Sequence, residues 1–499
     1  MSFKKVFLLL IQVFACTCLF AQEILLERSL DMQLLFKEKR ESYPVVNEDD
    51  GTLALFLMDY KTIQAQLLDR NLNIITSLAD FKPGSEFSDL LGCSFNQGVY
   101  NLFFINKKKD KFYCKTLDMV NVKHEDHEIP LKLKGEKYLE CVNYKNRFYI
   151  LTVVKSGAIL KIYEFENNQN YQVREIDLSS LKFSKSKFAT LYDILIKGAN
   201  PSKLGPDFQK VNIQNPNSME IASHAIKLYY YDNKIFLTFD NEPQETKLLT
   251  ISLSDYSFTY SAYKQGVIDC GEAVVIGSNS FLYNNILFQV KECSQELYFS
   301  VYDILTGAIL KDFRVNRNEE IAFKNTPFVQ EGGTTLIQQN SKKELENTKV
   351  LLHKMAAGYA GVSAYSSSGS FVVTLGGYYE VQHMGPGVGI MMASSGGVAM
   401  SPAGNIVSIP PTYNYNSSML SYRSYKNSRS VYFKSVLDSN TFDHRPGKYL
   451  PNAFDKISDF SEPIEKQIVS ETIFKINDYY VFGYYDANEK KYYLRKFTD

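Results

Sequence analysis

Short apolar runs rich in β-branched and aromatic residues recur along the chain, each introduced by a polar Asn or Asp turn. Within a run the apolar side chains alternate or run continuously over five to eight residues, the signature of strands rather than helices. Asp50-Gly51 leads Leu53–Met58 and then Ile63–Leu68; Asn96 leads Val99–Ile105 and then Phe112–Leu117. Lys145-Asn146 leads Phe148–Val154 and Ile159–Phe165, and Asp232-Asn233 leads Ile235–Phe239 and Lys247–Leu253. Asn284-Asn285 leads Ile286–Val290 and Leu297–Tyr302, and Asn477-Asp478 leads Tyr479–Tyr485 and Tyr492–Phe497. The unit is therefore turn, strand, gap, strand.

Turn positions 50, 96, 145, 232, 284 and 477 are separated by 46, 49, 87, 52 and 193 residues. Three steps cluster near the length of one four-stranded blade, and a single small antiparallel sheet cannot bury both of its faces alone. The chain thus resembles the β-propeller superfamily at the level of fold. That resemblance implies an all-β propeller of about seven four-stranded blades, with six to eight compatible with the spacing. The step of 87 holds an insertion over 179–223, in which Phe188, Leu191, Tyr192 and Leu195 follow helical spacing up to Gly198. The step of 193 predicts a further unit at Gly358–Tyr365 with Phe371–Val381. The final unit stops at Asp499 without an outermost strand, and Ile24–Leu30 has no unit of its own. Pairing the two would cover an exposed sheet edge. No WD dipeptide or kelch signature is present, so the resemblance implies no function.

A second insertion, 383–430, breaks the repeat. Ala356–Tyr422 spans 67 residues with one charged side chain, Glu380, and eleven of the 27 glycines fall between Met355 and Asn405. Around His383-Met384-Gly385-Pro386-Gly387 this glycine density opposes any regular helix or central strand and predicts a loop. Its methionines would offer an adaptable contact surface. Membrane insertion as a hairpin is disfavoured by short, interrupted alternation. The following Tyr413–Arg429 interleaves tyrosines with Arg423, Lys426 and Arg429, a pattern suited to sugars bearing anionic groups but expected first of all in a solvated hairpin.

The first 21 residues change the picture of compartment. Lys4 and Lys5 precede an uncharged apolar run through Phe20, with Ala21 at its end, which predicts a secretory signal peptide and a single propeller domain over 22–499. Phe14 ahead of Cys16 argues against lipid attachment. Cleavage leaves 53 basic and 55 acidic side chains and removes two of seven cysteines. Cys93, Cys114, Cys141, Cys270 and Cys293 remain, too sparse for a disulfide-stapled scaffold and lacking any C-x-x-C zinc or redox spacing. No later apolar run is long enough to span a membrane. A near-neutral chain also has no global field to hold nucleic acid.

Candidate chemistry is thin. G-x-S-x-G is absent, and Gly385-Pro386-Gly387-Val388-Gly389 is not followed by a helix that could aim amides at phosphate. His124-Glu125-Asp126-His127-Glu128 gathers metal-ligand types, but in a segment expected to turn between two outer strands. Asn47-Glu48-Asp49-Asp50-Gly51 offers oxygens for calcium without the later bidentate glutamate. Asp438, Asp443 and Glu471, with His444-Arg445 beside them, are the carboxylates a glycoside-cleaving propeller would need, though their spacing does not bring them together. The sialidase-type S-x-D-x-G-x-T-W box is missing, as is every tryptophan. Catalytic residues are therefore not identifiable, and no cofactor- or metal-binding residue is expected. The sequence predicts a secreted, periplasmic or surface-held monomeric binding scaffold for an envelope protein or glycan, with 179–223 and 383–430 as recognition elements. The alternative is a carbohydrate-active hydrolase or lyase with carboxylates at the propeller axis.

Overall fold

The computed structural model describes residues 22–30, 41–59, 61–167, 170–185, 189–197, 208–271, 275–332, 342–379, 398–400, 406–408, 416–426 and 429–499. The expected signal peptide and the core of the Gly/Met-rich insertion, 383–397, lie outside them. The fold is all-β, with seven four- or five-stranded sheets among the described residues, a sheet pattern consistent with the propeller-like fold that the repeat implies.

β1 (Ile24–Ser29) is the first described strand. β2 (Glu41–Val46), β3 (Leu53–Met58), β4 (Thr62–Leu68) and β5 (Ile74–Phe81) form an antiparallel meander. The next is β6 (Asp89–Asn96), β7 (Val99–Ile105), β8 (Phe112–Asp118) and β9 (Lys123–Ile129), followed by β10 (Glu136–Tyr144), β11 (Arg147–Val154), β12 (Ile159–Phe165) and β13 (Tyr171–Asp177). β14 (Phe208–Lys210) runs parallel to β15 (Ile226–Tyr231), and β16 (Lys234–Glu242), β17 (Glu245–Ser252) and β18 (Phe258–Lys264) complete that sheet. β19 (Gly277–Tyr283), β20 (Ile286–Glu292), β21 (Glu296–Asp303) and β22 (Ile309–Asn316) are again sequential. In the sixth sheet β23 (Phe328–Glu331), β24 (Lys342–Leu345), β25 (Tyr359–Ser367), β26 (Ser370–Tyr378) and β29 (Ser430–Asp438) take the order β24-β23-β29-β26-β25. The short pair β27 (Val398–Met400) and β28 (Ile406–Ser408) lies between β26 and β29 in the chain. β30 (Ile468–Ile476), β31 (Tyr479–Asp486) and β32 (Lys491–Phe497) make the last sheet, with β1 on its edge.

Two compact units divide these sheets: residues up to Lys82 with Pro451–Asp499, and Pro83–Leu450. In the first unit, β1 pairs antiparallel with β32, Leu26 opposite Leu494 and Ser29 opposite Lys491, as the unpaired Ile24–Leu30 predicts. The Lys491–Glu27 ion pair at 2.5 Å and the bond from Tyr485 Oη to the Leu30 carbonyl, 3.1 Å, tie the strand down. β3 is buried at every position, so Leu53, Leu55 and Leu57 pack into one cluster with Val481, Tyr492 and Leu494 of the neighbouring sheet. Ser42 Oγ bonds the Ser470 carbonyl across the same junction at 2.8 Å.

In the second unit, aromatic side chains mesh successive sheets. Phe103 of β7 stacks on Phe148 of β11 with centroids 4.2 Å apart. Tyr229 of β15 meets Phe281 of β19 edge-on at 5.8 Å, and Phe288 of β20 meets Phe371 of β26 at 5.4 Å. Edge-to-face and stacked pairs of this kind add about 1 kcal/mol each beyond area burial.

The polar turns ahead of the second strands have a common backbone. Lys145-Asn146 and Asp232-Asn233 both adopt positive φ at two successive residues, as do Gln97-Gly98 and Ser368-Gly369. This is the left-handed hairpin geometry that matches strand twist and selects Asn, Asp and Gly. The sequence motif is thus a readout of hairpin stereochemistry. One segment departs from expectation: His124–Glu128 is not a turn but most of β9, the outermost strand of its sheet.

Because β1 supplies the fourth strand of the last sheet, removing residues 22–31 should lower the thermal midpoint by roughly 5 °C or more. Differential scanning calorimetry of the truncated and full mature forms checks this; equal midpoints would mean that the edge contributes nothing.

Candidate functional site

The two insertions meet. The serine-rich stretch that follows the tyrosines is not a solvated hairpin; its residues Ser417–Lys426 form a helix, with Asn416 Oδ1 accepting the Met419 amide at 3.0 Å. Ser417, Ser421 and Ser424 recur at helical spacing, and with Ser418 they face the loop before the short helix Met219–Ala222. Asn212 Nδ2 donates to Ser417 Oγ at 3.0 Å, Ser418 Oγ to Asn215 Oδ1 at 3.2 Å, and Ser421 Oγ to Asn217 Oδ1 at 3.2 Å. Ser218 Oγ and Ser424 Oγ are 2.6 Å apart, and Ser424 Oγ donates to Glu220 at 2.7 Å. The loop is itself braced: Asn217 Nδ2 donates to the carbonyls of Asn212 and Asn215, while Ser363 Oγ of β25 donates to the Asn217 carbonyl. Small hydroxyl and amide side chains let two backbones approach closely while bonding across the contact, at about 1 kcal/mol per buried bond; the Asn215 Nδ2 group alone among them is buried without a partner. The bonds of the interface are hydroxyl–amide contacts, with Glu220 the one carboxylate among these partners.

Two tyrosines of the tyrosine–cation stretch, Tyr422 and Tyr425, are engaged within the protein. Lys434 Nζ of β29 bonds the hydroxyls of Tyr425 and Tyr449 at 2.9 and 3.0 Å and lies 4.1 Å from the Tyr449 ring centroid. Tyr422 is buried. Tyr413 and Tyr415 fall outside the described residues.

Behind the loop lies a polar cluster within the protein interior. Lys227 of β15 and Asp240 of β16 form an ion pair at 3.2 Å, both side chains essentially inaccessible. Lys227 Nζ also donates to Asn279 Oδ1 at 2.6 Å, and Asn279 Nδ2 donates to the Ala360 carbonyl at 2.9 Å, linking three sheets. Asp240 accepts from Thr246 Oγ1 at 2.6 Å and from Ser280 Oγ at 2.8 Å, so its charge is fully solvated by protein. Glu292 at the end of β20 differs. It is wholly buried, neither carboxyl oxygen has a hydrogen-bond partner, and any Cβ on the facing Gly277 would collide with it. Burial pushes its carboxyl up to about 8, so it is held neutral at pH 7. Sequence patterning could not single out Glu292, because it ends an otherwise apolar strand like any hairpin-flanking acid.

The sequence-nominated carboxylates are occupied by structural work. Asp438 accepts the Thr441 and Asn440 amides and pairs with Arg445, which pull it down to about 2. Asp443 pairs with Lys311, which lowers it. Glu471 stands on β30 in the other compact unit. His444 Nε2 contacts Asn325 Oδ1 at 3.1 Å. On β9 the strand alternation sends His124, Asp126 and Glu128 to one face and Glu125 and His127 to the other, so the five cannot converge. Asp126 pairs with the buried Lys115 at 2.7 Å, and His127 contacts Glu125 at 3.2 Å. In Asn47–Gly51, Asp50 Oδ1 accepts from the Thr52 amide and hydroxyl and Asn47 Oδ1 from the Asp49 amide, so the turn's own donors take the oxygens.

No protein-family model matches the chain, and no curated protein does. Among solved structures it is similar to dihydro-heme d1 dehydrogenase NirN in complex with DHE, at 10% identity and a TM-score of 0.26 over 56% of this chain and 48% of that one. It is also similar to cobalt-substituted Synechocystis ACO, at 6% identity and a TM-score of 0.27 over 56% of this chain and 61% of that one. The chain thus spans about half to three-fifths of the length of the structures it matches, and at these scores the likeness transfers no chemistry.

Glu292 yields a pH signature. Its folded value lies above the ordinary 4.5, so its own contribution to stability is greatest below pH 4.5 and is lost as pH rises through about 8. Glu292→Gln should remove that decline, on the order of 5 kcal/mol across the window. Urea unfolding at acidic and alkaline pH should show the variant and wild type alike in acid and the variant more stable above pH 8; parallel curves would refute a neutral buried carboxyl.

Proposed function

We propose that the chain is a secreted or envelope-associated binding scaffold whose two insertions present the recognition surface for an envelope protein or glycan. The observation that carries this reading is the docking of Asn212–Glu220 against Ser417–Ser424, segments some 200 residues apart in sequence. That contact fixes the chain on the C-terminal side of the Gly/Met-rich stretch, while β26 fixes the N-terminal side. Anchored ends lower the ordering entropy such a loop loses when it engages a partner. The Cys270–Cys293 disulfide supports an oxidising compartment, while Cys93, Cys114 and Cys141 are buried thiols. No described helix is long and apolar enough to cross a membrane. The carbohydrate-active reading has less support, since Asp438 and Asp443 are both held in ion pairs.

Cross-linking tagged protein in its native cells, followed by recovery, should yield one near-stoichiometric partner that is lost when residues 383–405 are deleted. Recovery of no partner with either form would overturn the scaffold reading. The compartment has its own check. Denatured mature protein from the cells should take up three thiol-reactive groups without reductant and five with it. Five in both states would place the chain in a reducing compartment.

A further inference from the structure

The formal charge of the chain is zero, yet one edge of two neighbouring sheets in the Pro83–Leu450 unit is strongly basic. The β7–β8 turn carries Lys107, Lys108 and Lys109; the β9–β10 connection carries Lys132 and Lys134; Lys137 opens β10, and Lys155 sits in the β11–β12 turn. In a meander, alternate connections emerge at opposite edges, so these three lie at the same edge of their sheets. Two contacts confirm that they adjoin: the Lys155 amide donates to the Gly135 carbonyl at 2.8 Å, and Lys109 Nζ lies 5.3 Å from the Tyr138 ring centroid.

The acids nearby do not neutralise this face. Glu86 pairs with Lys111 at 2.6 Å, and Glu128 and Asp110 add to the field at that same lysine. Asp110 also accepts from Asn106 Nδ2. Glu136 is buried and bonded to Thr152 and Tyr163. None of the seven lysines has a carboxylate within ion-pair range among the described residues, and all but Lys109 are fully exposed.

We propose that this lysine face docks on an anionic lipid bilayer. The cations are spread over three separate turns rather than converging on a point, and no arginine fork stands among them to grip a discrete phosphate. Strongly hydrated point charges on flexible stems, distributed over a face, suit a laterally extended negative surface. These turns hold no exposed large apolar side chain, so attachment is peripheral and reversible by salt. The inference is independent of the recognition role of the insertions, because deletion of 383–405 leaves every one of these lysines in place.

The test is co-sedimentation of the full mature protein with vesicles of mixed phosphatidylglycerol and phosphatidylcholine, against phosphatidylcholine alone. The expected result is binding to the anionic vesicles only, abolished by high salt. Exchanging Lys107, Lys108, Lys134 and Lys155 for Gln should reduce the partition coefficient at least about 100-fold. The same charge change at Lys123, Lys145, Lys234 and Lys349, the first three beside turns at the opposite edge of their sheets, should leave it within about threefold. Failure of the wild type to bind anionic vesicles, or equal loss in both quartets, would overturn the proposal. Tighter retention on a soluble acidic polysaccharide than on vesicles would overturn it in favour of a polymer ligand. Circular dichroism melts of both quartets show that each compared protein is folded.

Discussion

The middle strands of these sheets are largely buried on both faces, and that single condition organises the molecule. β3 buries all six of its side chains, and β16, β20 and β26 bury nearly all of theirs. A four-stranded meander has no means of covering two apolar faces by itself, so each sheet must be flanked by others. The aromatic pairs Phe103–Phe148 and Phe288–Phe371 are where that demand is met, side chains of one sheet filling the gaps of the next. Outer strands escape the demand on one side. β9, β13 and β22 are accordingly the most polar.

Where charge enters this interior it is held by geometry rather than water. Lys227 and Asp240 would be costly to bury separately, and the pair is tolerable because Asn279, Thr246 and Ser280 complete the remaining bonds. The same logic leaves Glu292 protonated: no cation or donor stands beside it, so the proton itself is its partner. Glu292 thus stays neutral through its surroundings alone.

Much of the fold was legible because hairpin chemistry is local. The runs Leu53–Met58, Val99–Ile105 and Ile159–Phe165 coincide with β3, β7 and β12 to the residue, since turn and strand signals lie side by side in the chain. The further unit within the step of 193 was visible too, as β25 and β26 of the sixth sheet. Outer strands were harder. His124–Glu128 reads as a polar turn because an edge strand needs hydrophobicity on one face only, and here burial begins at Ile129. The helix Ser417–Lys426 was hidden for a different reason: serine has weak helix propensity, and its stability comes from amides some 200 residues away. The same distance conceals the docked insertions, and no periodicity signals the isolation of Glu292.

The pairing of β1 with β32 also sets an order of events. A strand completed near Ser29 has its hydrogen-bonding partner only once residues 491–497 exist, so it must wait for the intervening chain to be made. Until then its backbone is open to any strand it meets, and closing that span is the longest-range contact the molecule makes. Most sheets of the Pro83–Leu450 unit close from adjacent sequence and need no such delay; the sixth, where Val329 of β23 pairs with Tyr432 of β29, is the exception. β1 is therefore made early yet among the last strands to become native, and its exposure time grows with every residue that separates it from β32.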